Sequence, residues 1–267
     1  MPAAWAASSR LCPGSTGTAQ PWGRIRSVAA VVSLMPAMLA LCVVTPLPHP
    51  AMSLCQLDHL TLVAPDLAAG ADVVSRWLGV PLQPGGEHPR MGTHNRLLRL
   101  GEGRFLEVIS PNPAAPAPAR PRWFGLDHLA EGDPPRFATW VARTTDLRGL
   151  AGEVRPVLGE VETMTRGDLR WLITLTPDGG LPFGGMAPAL IEWPVGVHPA
   201  SRLPDQGCTL VRLTAHSPDA PLLQRWFERL GLAGEVSVAT LPVGTQPYLE
   251  ADIQTPSGLR RLGGPGH

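Results

Sequence analysis

LDHLTLVAPDL, residues 57–67, and GTHNRLLRLGEGRFLEVISP, residues 92–111, carry the reading of this chain. In the first, Leu57–Ala64 alternates as a half-buried strand does. Pro65-Asp66 breaks it, and Asp66 can cap a helix. That helix spans roughly Leu67–Leu78, puts Leu67, Val74, Trp77 and Leu78 on one face, and ends at Gly79. A glycine-rich loop or short strand, PGGEHPRMGTHN, leads to the second stretch. There Arg96–Leu100 and Arg104–Ser110 flank Gly101-Glu102-Gly103, a hairpin signal. The order is strand, helix, loop or short strand, strand, strand.

The order recurs. Phe137–Arg143 reads as a strand, Asp146 as a cap, and Leu147–Val154 as a short helix. Glu160–Thr165 and Leu169–Leu175 are strand-like, and ALIEW at 189–193 closes the unit, so that LEVIS at 106–110 and LIEWP at 190–194 take matching places. A third, partial copy opens at Thr209–Ala215. It repeats the Pro-Asp break at Pro218-Asp219 and carries a helix over Leu222–Leu230. Late strands near Tyr248–Ile253 and Leu259–Leu262 finish it. Pro111–Pro121 is a Pro- and Ala-rich spacer.

Composition narrows the function classes. Of 267 residues, 44% are hydrophobic and 16% charged, so the chain is globular rather than disordered. Lys+Arg and Asp+Glu are both 22, which leaves no basic field for nucleic acid or an anionic membrane. No nucleophile elbow, phosphate loop or dinucleotide fingerprint appears. Cys55 and Cys208 lack metal-site spacing and read as buried thiols; a disulfide between them would require an oxidising compartment.

The first fifty residues stand apart. Arg24 and Arg26 precede an uncharged run, Ser27–Leu47, interrupted by Pro36. That order suits an exported or membrane-anchored protein held through residues 24–47. The competing reading starts translation at Met52 and makes the protein cytoplasmic. The expected organisation is a leader over 1–52, a domain over 53–200 with modules at about 57–111 and 136–194, and a partial βαβ-type module over 207–267.

Tandem βαβββ modules built on LDHLTLVAPDL, GTHNRLLRLGEGRFLEVISP and PALIEWPVGVHP (188–199) resemble the vicinal oxygen chelate superfamily, most closely its glyoxalase-like domains. The resemblance covers roughly 57–230. It implies an α+β fold: tandem βαβββ modules forming a cupped mixed β-sheet with flanking helices. It also implies metal ligands on the first and last strands of each module. Carried over, those positions are His59, Glu107 and Glu192, with the fourth near Thr139 or Trp140, neither a usual ligand; His94 is a substitute.

One imidazole and two carboxylates suit a divalent ion such as Zn, Fe, Mn, Ni or Mg. Glu107 and Glu192 would then move protons. His94 and Asn95, with His88 in the same loop, and Arg122 and Trp123 are the candidate substrate-binding residues. His198 and His216 read as turn residues without a role. The implied function is a metal-dependent lyase, isomerase or dioxygenase acting on a small oxygen-rich molecule. The alternative is a non-catalytic protein that sequesters a small molecule in a Trp-lined cleft. Because superfamily members pair modules within or between chains, a homodimer stays open.

Overall fold

The computed structural model describes residues 55–265. The leader, both readings of the start site and the exported or anchored reading fall on residues outside that range. Among the described residues, no helix is long and apolar enough to cross a membrane.

The first unit runs β1 (Gln56–Val63), α1 (Leu67–Leu78), β2 (Gln83–His88), β3 (Thr93–Arg99) and β4 (Phe105–Pro111). Asp66 caps α1 by accepting from the Ala69 N–H at 2.7 Å, and Gly79 ends it in the left-handed region, φ 75°. The second unit runs β5 (Arg136–Arg143), α2 (Leu147–Leu158), β6 (Glu160–Arg166), β7 (Leu169–Leu175) and β8 (Ala189–Glu192).

All eight strands form one mixed sheet, ordered β2-β3-β4-β1-β5-β8-β7-β6. In each unit the first strand lies parallel to the last, and β1 and β5 meet antiparallel at the centre. The two halves are therefore related by an approximate two-fold axis. The sheet curls until its outer edges meet. Arg90, just after β2, donates to the Thr163 carbonyl of β6 at 2.7 Å and pairs with Glu162, which also takes Arg120 at 2.8 Å.

The convex face of the sheet buries Leu60, Leu62, Leu106, Val108, Trp140 and Leu190 against the helices. Alternation then turns His59, Glu107, Ile109 and Val141 inward, into the cup.

After a one-turn helix, α3 (Pro199–Arg202), the chain forms β9 (Thr209–Ser217), α4 (Ala220–Arg229), β10 (Ser237–Thr240), β11 (Tyr248–Thr255) and β12 (Gly258–Gly263). This segment opens like a module and then departs from it. Its own sheet is β10-β9-β11-β12, with β9 between a parallel β10 and an antiparallel β11. It packs on the convex side, where Phe227 meets Trp140 edge-on at 5.5 Å. No disulfide joins Cys55 and Cys208, both buried thiols.

Candidate active site

The site begins at an irregularity in β1. The register with β5 shifts between Leu57 and His59, and Asp58 is the extra residue. The bulge brings two neighbouring side chains together. His59 Nδ1 lies 2.6 Å from Asp58 Oδ1. Asp58 is fully buried, and its other oxygen accepts from Trp193 Nε1 at 3.1 Å and His198 Nε2 at 2.8 Å. The Arg143 guanidinium stands 3.7 Å away.

These contacts fix two tautomers. His198 Nδ1 accepts the Ala200 N–H at the start of α3, so its proton sits on Nε2 and points at Asp58. Burial alone would raise the Asp58 pKa, but hydrogen bonds from His198 and His59 outweigh it and hold the carboxyl at about 2. An ionised Asp58 can only accept. In its neutral form His59 therefore carries the proton on Nδ1 and turns the Nε2 lone pair to the cup, its ring stacked on Phe105 at 4.4 Å.

Glu107 faces that lone pair from β4, with Oε2 3.7 Å from His59 Nε2. Its other oxygen accepts from Asn95 Nδ2 at 2.5 Å, and Asn95 Oδ1 accepts from the Gly86 N–H at 2.7 Å. That second bond orients the amide. It also explains glycine in β2, because a Cβ at Gly85 would sit 2.0 Å from Asn95 Oδ1.

His59, Asn95 and Glu107 line a partly open cleft. Trp123, Trp171, Trp193, Phe105 and Phe124 make it largely aromatic, and His88 and Arg166 add polar groups. Phe124 holds φ 59°, a strained setting for a side chain of its size. His88 is buried with its ring edge-on to Trp123 at 5.1 Å. Burial, then the charge of Arg166, pulls its pKa to about 3, so it is a neutral imidazole at physiological pH.

Of the residues singled out from sequence, His59, Glu107, Asn95 and Trp123 line this cleft together. Glu192, His94 and Arg122 do not. The Glu192 match was three residues out of register. Ala64 N–H bonds to the Ile109 carbonyl as Thr144 N–H does to Ile191, so Ala189 stands where Glu107 stands and Glu192 where Ser110 stands. An odd slip moves a side chain to the other face. Glu192 accordingly lies outside the cup, where its carboxylate accepts the Leu147 N–H at the start of α2, 2.7 Å.

His94 alternates away from Thr93 and Asn95 and opens on the far side of β3. Arg122 pairs with Asp127 at 2.6 Å. Sequence reasoning missed Asp58, Arg166, Trp171 and Trp193, and gave His198 no role.

Superfamily members commonly use divalent metals, and catalytic metals usually have three protein ligands. Here His59 and Glu107 can face one point. The matching places in the second unit hold Thr139, whose hydroxyl donates to the Gly185 carbonyl at 3.2 Å, and Ala189. Among the described residues, no group of three or more His, Cys, Asp or Glu side chains can hold a metal ion. The side chains present do not fit the metal that the resemblance implies.

Comparison with known proteins agrees with the architecture. A family model described as "Glyoxalase-like domain" matches residues 57–231. The chain belongs to the glyoxalase-like domain family. It is thereby a vicinal oxygen chelate protein.

No curated protein matches this glyoxalase-like chain. Among solved structures, a hypothetical protein from Staphylococcus aureus is similar at 13% identity and TM-score 0.47, over 79% of this chain and 85% of that one. Methylmalonyl-CoA epimerase from Mycobacterium tuberculosis is similar at 20% identity and TM-score 0.37, over 55% and 94%. A mutant of 4-hydroxymandelate synthase from Streptomyces coelicolor is similar at 16% identity and TM-score 0.44, over 79% and 63%.

Proposed function

We propose that this glyoxalase-like domain transfers a proton at a carbon beside a carbonyl group of a small oxygen-bearing molecule, a step of the isomerase or lyase type. One observation carries the reading: Asp58 accepts three N–H groups, one of them from His59 Nδ1, which turns His59 Nε2 toward Glu107 across 3.7 Å. A buried imidazole and carboxylate in an aromatic cleft cost stability, and such pairs concentrate at sites that use them.

In the proposed step the C–H bond breaks, its proton goes to His59 Nε2, and its electron pair moves into the carbonyl oxygen as an enolate. Asp58 stabilises the imidazolium that forms, as an orienting carboxylate does for a histidine base. The imidazolium then returns the proton to the same carbon, directly or through Glu107, as the electron pair moves back from oxygen to carbon. Asn95 keeps Glu107 turned toward His59.

Sequestration of a small molecule is the second reading, favoured by the tryptophan walls. Incubation in deuterium oxide with a panel of small 2-oxo and 2-hydroxy carbonyl compounds separates the two, with proton NMR following C–H loss. Proton transfer predicts exchange in wild type that falls by about 10² or more in His59→Gln and Glu107→Gln. Compounds that bind without exchanging would support sequestration and end the enzymatic reading.

A further inference from the structure

Arg166 closes β6 and leans over Gly86 of β2. A Cβ added at Gly86 would lie 2.5 Å from Arg166 Nη1, so the glycine makes room for the guanidinium. The side chain is half-buried, lines the cleft, and makes no hydrogen bond or ion pair with any described residue. The acid nearest it on its own strand, Glu162, already holds Arg90 and Arg120. Glu107 lines the same cleft and does not pair with Arg166 either. A guanidinium held apart from acids in a recess is a site for an anion.

Trp123 adds an independent observation. It is 3% exposed and lines the same cleft, and its indole N–H has no acceptor among the described residues. Buried donors are almost always matched, and leaving one unmatched costs stability. An indole N–H can only donate. The Trp123 and Arg166 side chains thus line one cleft, each with a donor that has no acceptor among the described residues. His88 is a neutral imidazole, and among the described residues Arg166 is the one arginine or lysine in the cleft lining. One guanidinium suits one carboxylate. The aromatic walls suit a flat apolar body.

We infer that Arg166 and Trp123 grip a carboxylate, and that the molecule taken up is a small monocarboxylate with a flat, preferably aromatic, body. This deepens the proton-transfer reading and rests on it for placing the reactive carbon beside His59. The grip itself does not require that reading.

The test is a tryptophan-fluorescence titration of the full chain with phenylpyruvate and with its uncharged methyl ester. Wild type is expected to bind the acid more tightly than the ester. Arg166→Met is expected to weaken the acid about tenfold or more while leaving the ester unchanged, so the ester also reports that the variant is folded. Trp123→Phe should weaken the acid by a smaller factor.

The inference is overturned if acid and ester bind alike, if neither quenches at millimolar concentration, or if Arg166→Met weakens both equally or neither. Arg166-dependent acid binding without deuterium exchange would leave the grip standing and remove the proton transfer. Exchange confined to uncharged compounds would do the reverse.

Discussion

Replacing Asp58 by Asn keeps the shape of the buried hub and removes its charge. Asp58 receives N–H groups from His59, Trp193 and His198. Hydrogen bonds to a charged acceptor contribute about 1.5–3 kcal/mol each, against about 0.5–1.5 for neutral ones. Three such bonds becoming neutral costs about 3 kcal/mol, or roughly 6–12 °C in Tm for a domain of this size. Asn also brings an NH2 where an oxygen stood. Turned toward His59, it forces the imidazole to accept, which moves the ring proton to Nε2 and removes the base. Deuterium exchange should then fall by about 10³ or more, as it does when a histidine base is held in the wrong tautomer.

The pH dependence has a defined sign. The folded Asp58 pKa, about 2, lies below its ordinary value of 3.8. Its stabilisation is complete above pH 3.8 and disappears as pH falls toward 2, so the gap between wild type and variant should close over that window. Urea melts across pH read the stability, and NMR exchange reads the chemistry. A variant within about 0.5 kcal/mol of wild type, exchanging at an unchanged rate, would refute the hub.

Glu192→Ala should cost about 1 kcal/mol by removing the acceptor at the start of α2, with no loss of exchange or carboxylate binding. Equilibrium melts beside the exchange assay check both. Gly85→Ala should destabilise by about 1–3 kcal/mol and slow exchange, because its Cβ would meet Asn95 and turn Glu107 loose. Burial and the charge of Arg166 hold His88 well below its ordinary 6.5, so the folded state resists its protonation. Stability should therefore decline as pH falls from 6.5 toward about 3, and His88→Phe should flatten that part of the profile in urea melts.

Strand and helix positions were largely legible because Pro-Asp breaks, capping aspartates and Gly79 are local signals. Strand β2 was less so: its glycines read as a loop, whereas they clear space for Asn95 and Arg166 from other strands. The site was half legible. His59 and Glu107 came from the resemblance, which implies ligands on the first and last strands of a module; alternation alone left open which face of β4 is wet.

Glu192 failed because LEVIS and LIEWP look alike as strings, whereas in the sheet Glu192 sits three residues past Ala189, the place that matches Glu107. Asp58 was passed over because regular alternation sends it to the opposite face from His59, and a bulge is not written in the sequence. Arg166 and His198 reach the site only through the curl of the sheet and a turn after β8. Their neighbours there, Gly86 for Arg166 and Asp58 for His198, lie far from them in the chain.

The protonation of His59 can be read directly from long-range proton–nitrogen correlation spectra of the imidazoles at neutral pH, with His59→Gln to assign the signal. A proton on Nδ1 and an unprotonated Nε2 is expected, together with a His198 proton on Nε2. A His59 ring carrying its proton on Nε2 would leave no base facing Glu107, and the proposed chemistry would fail with it.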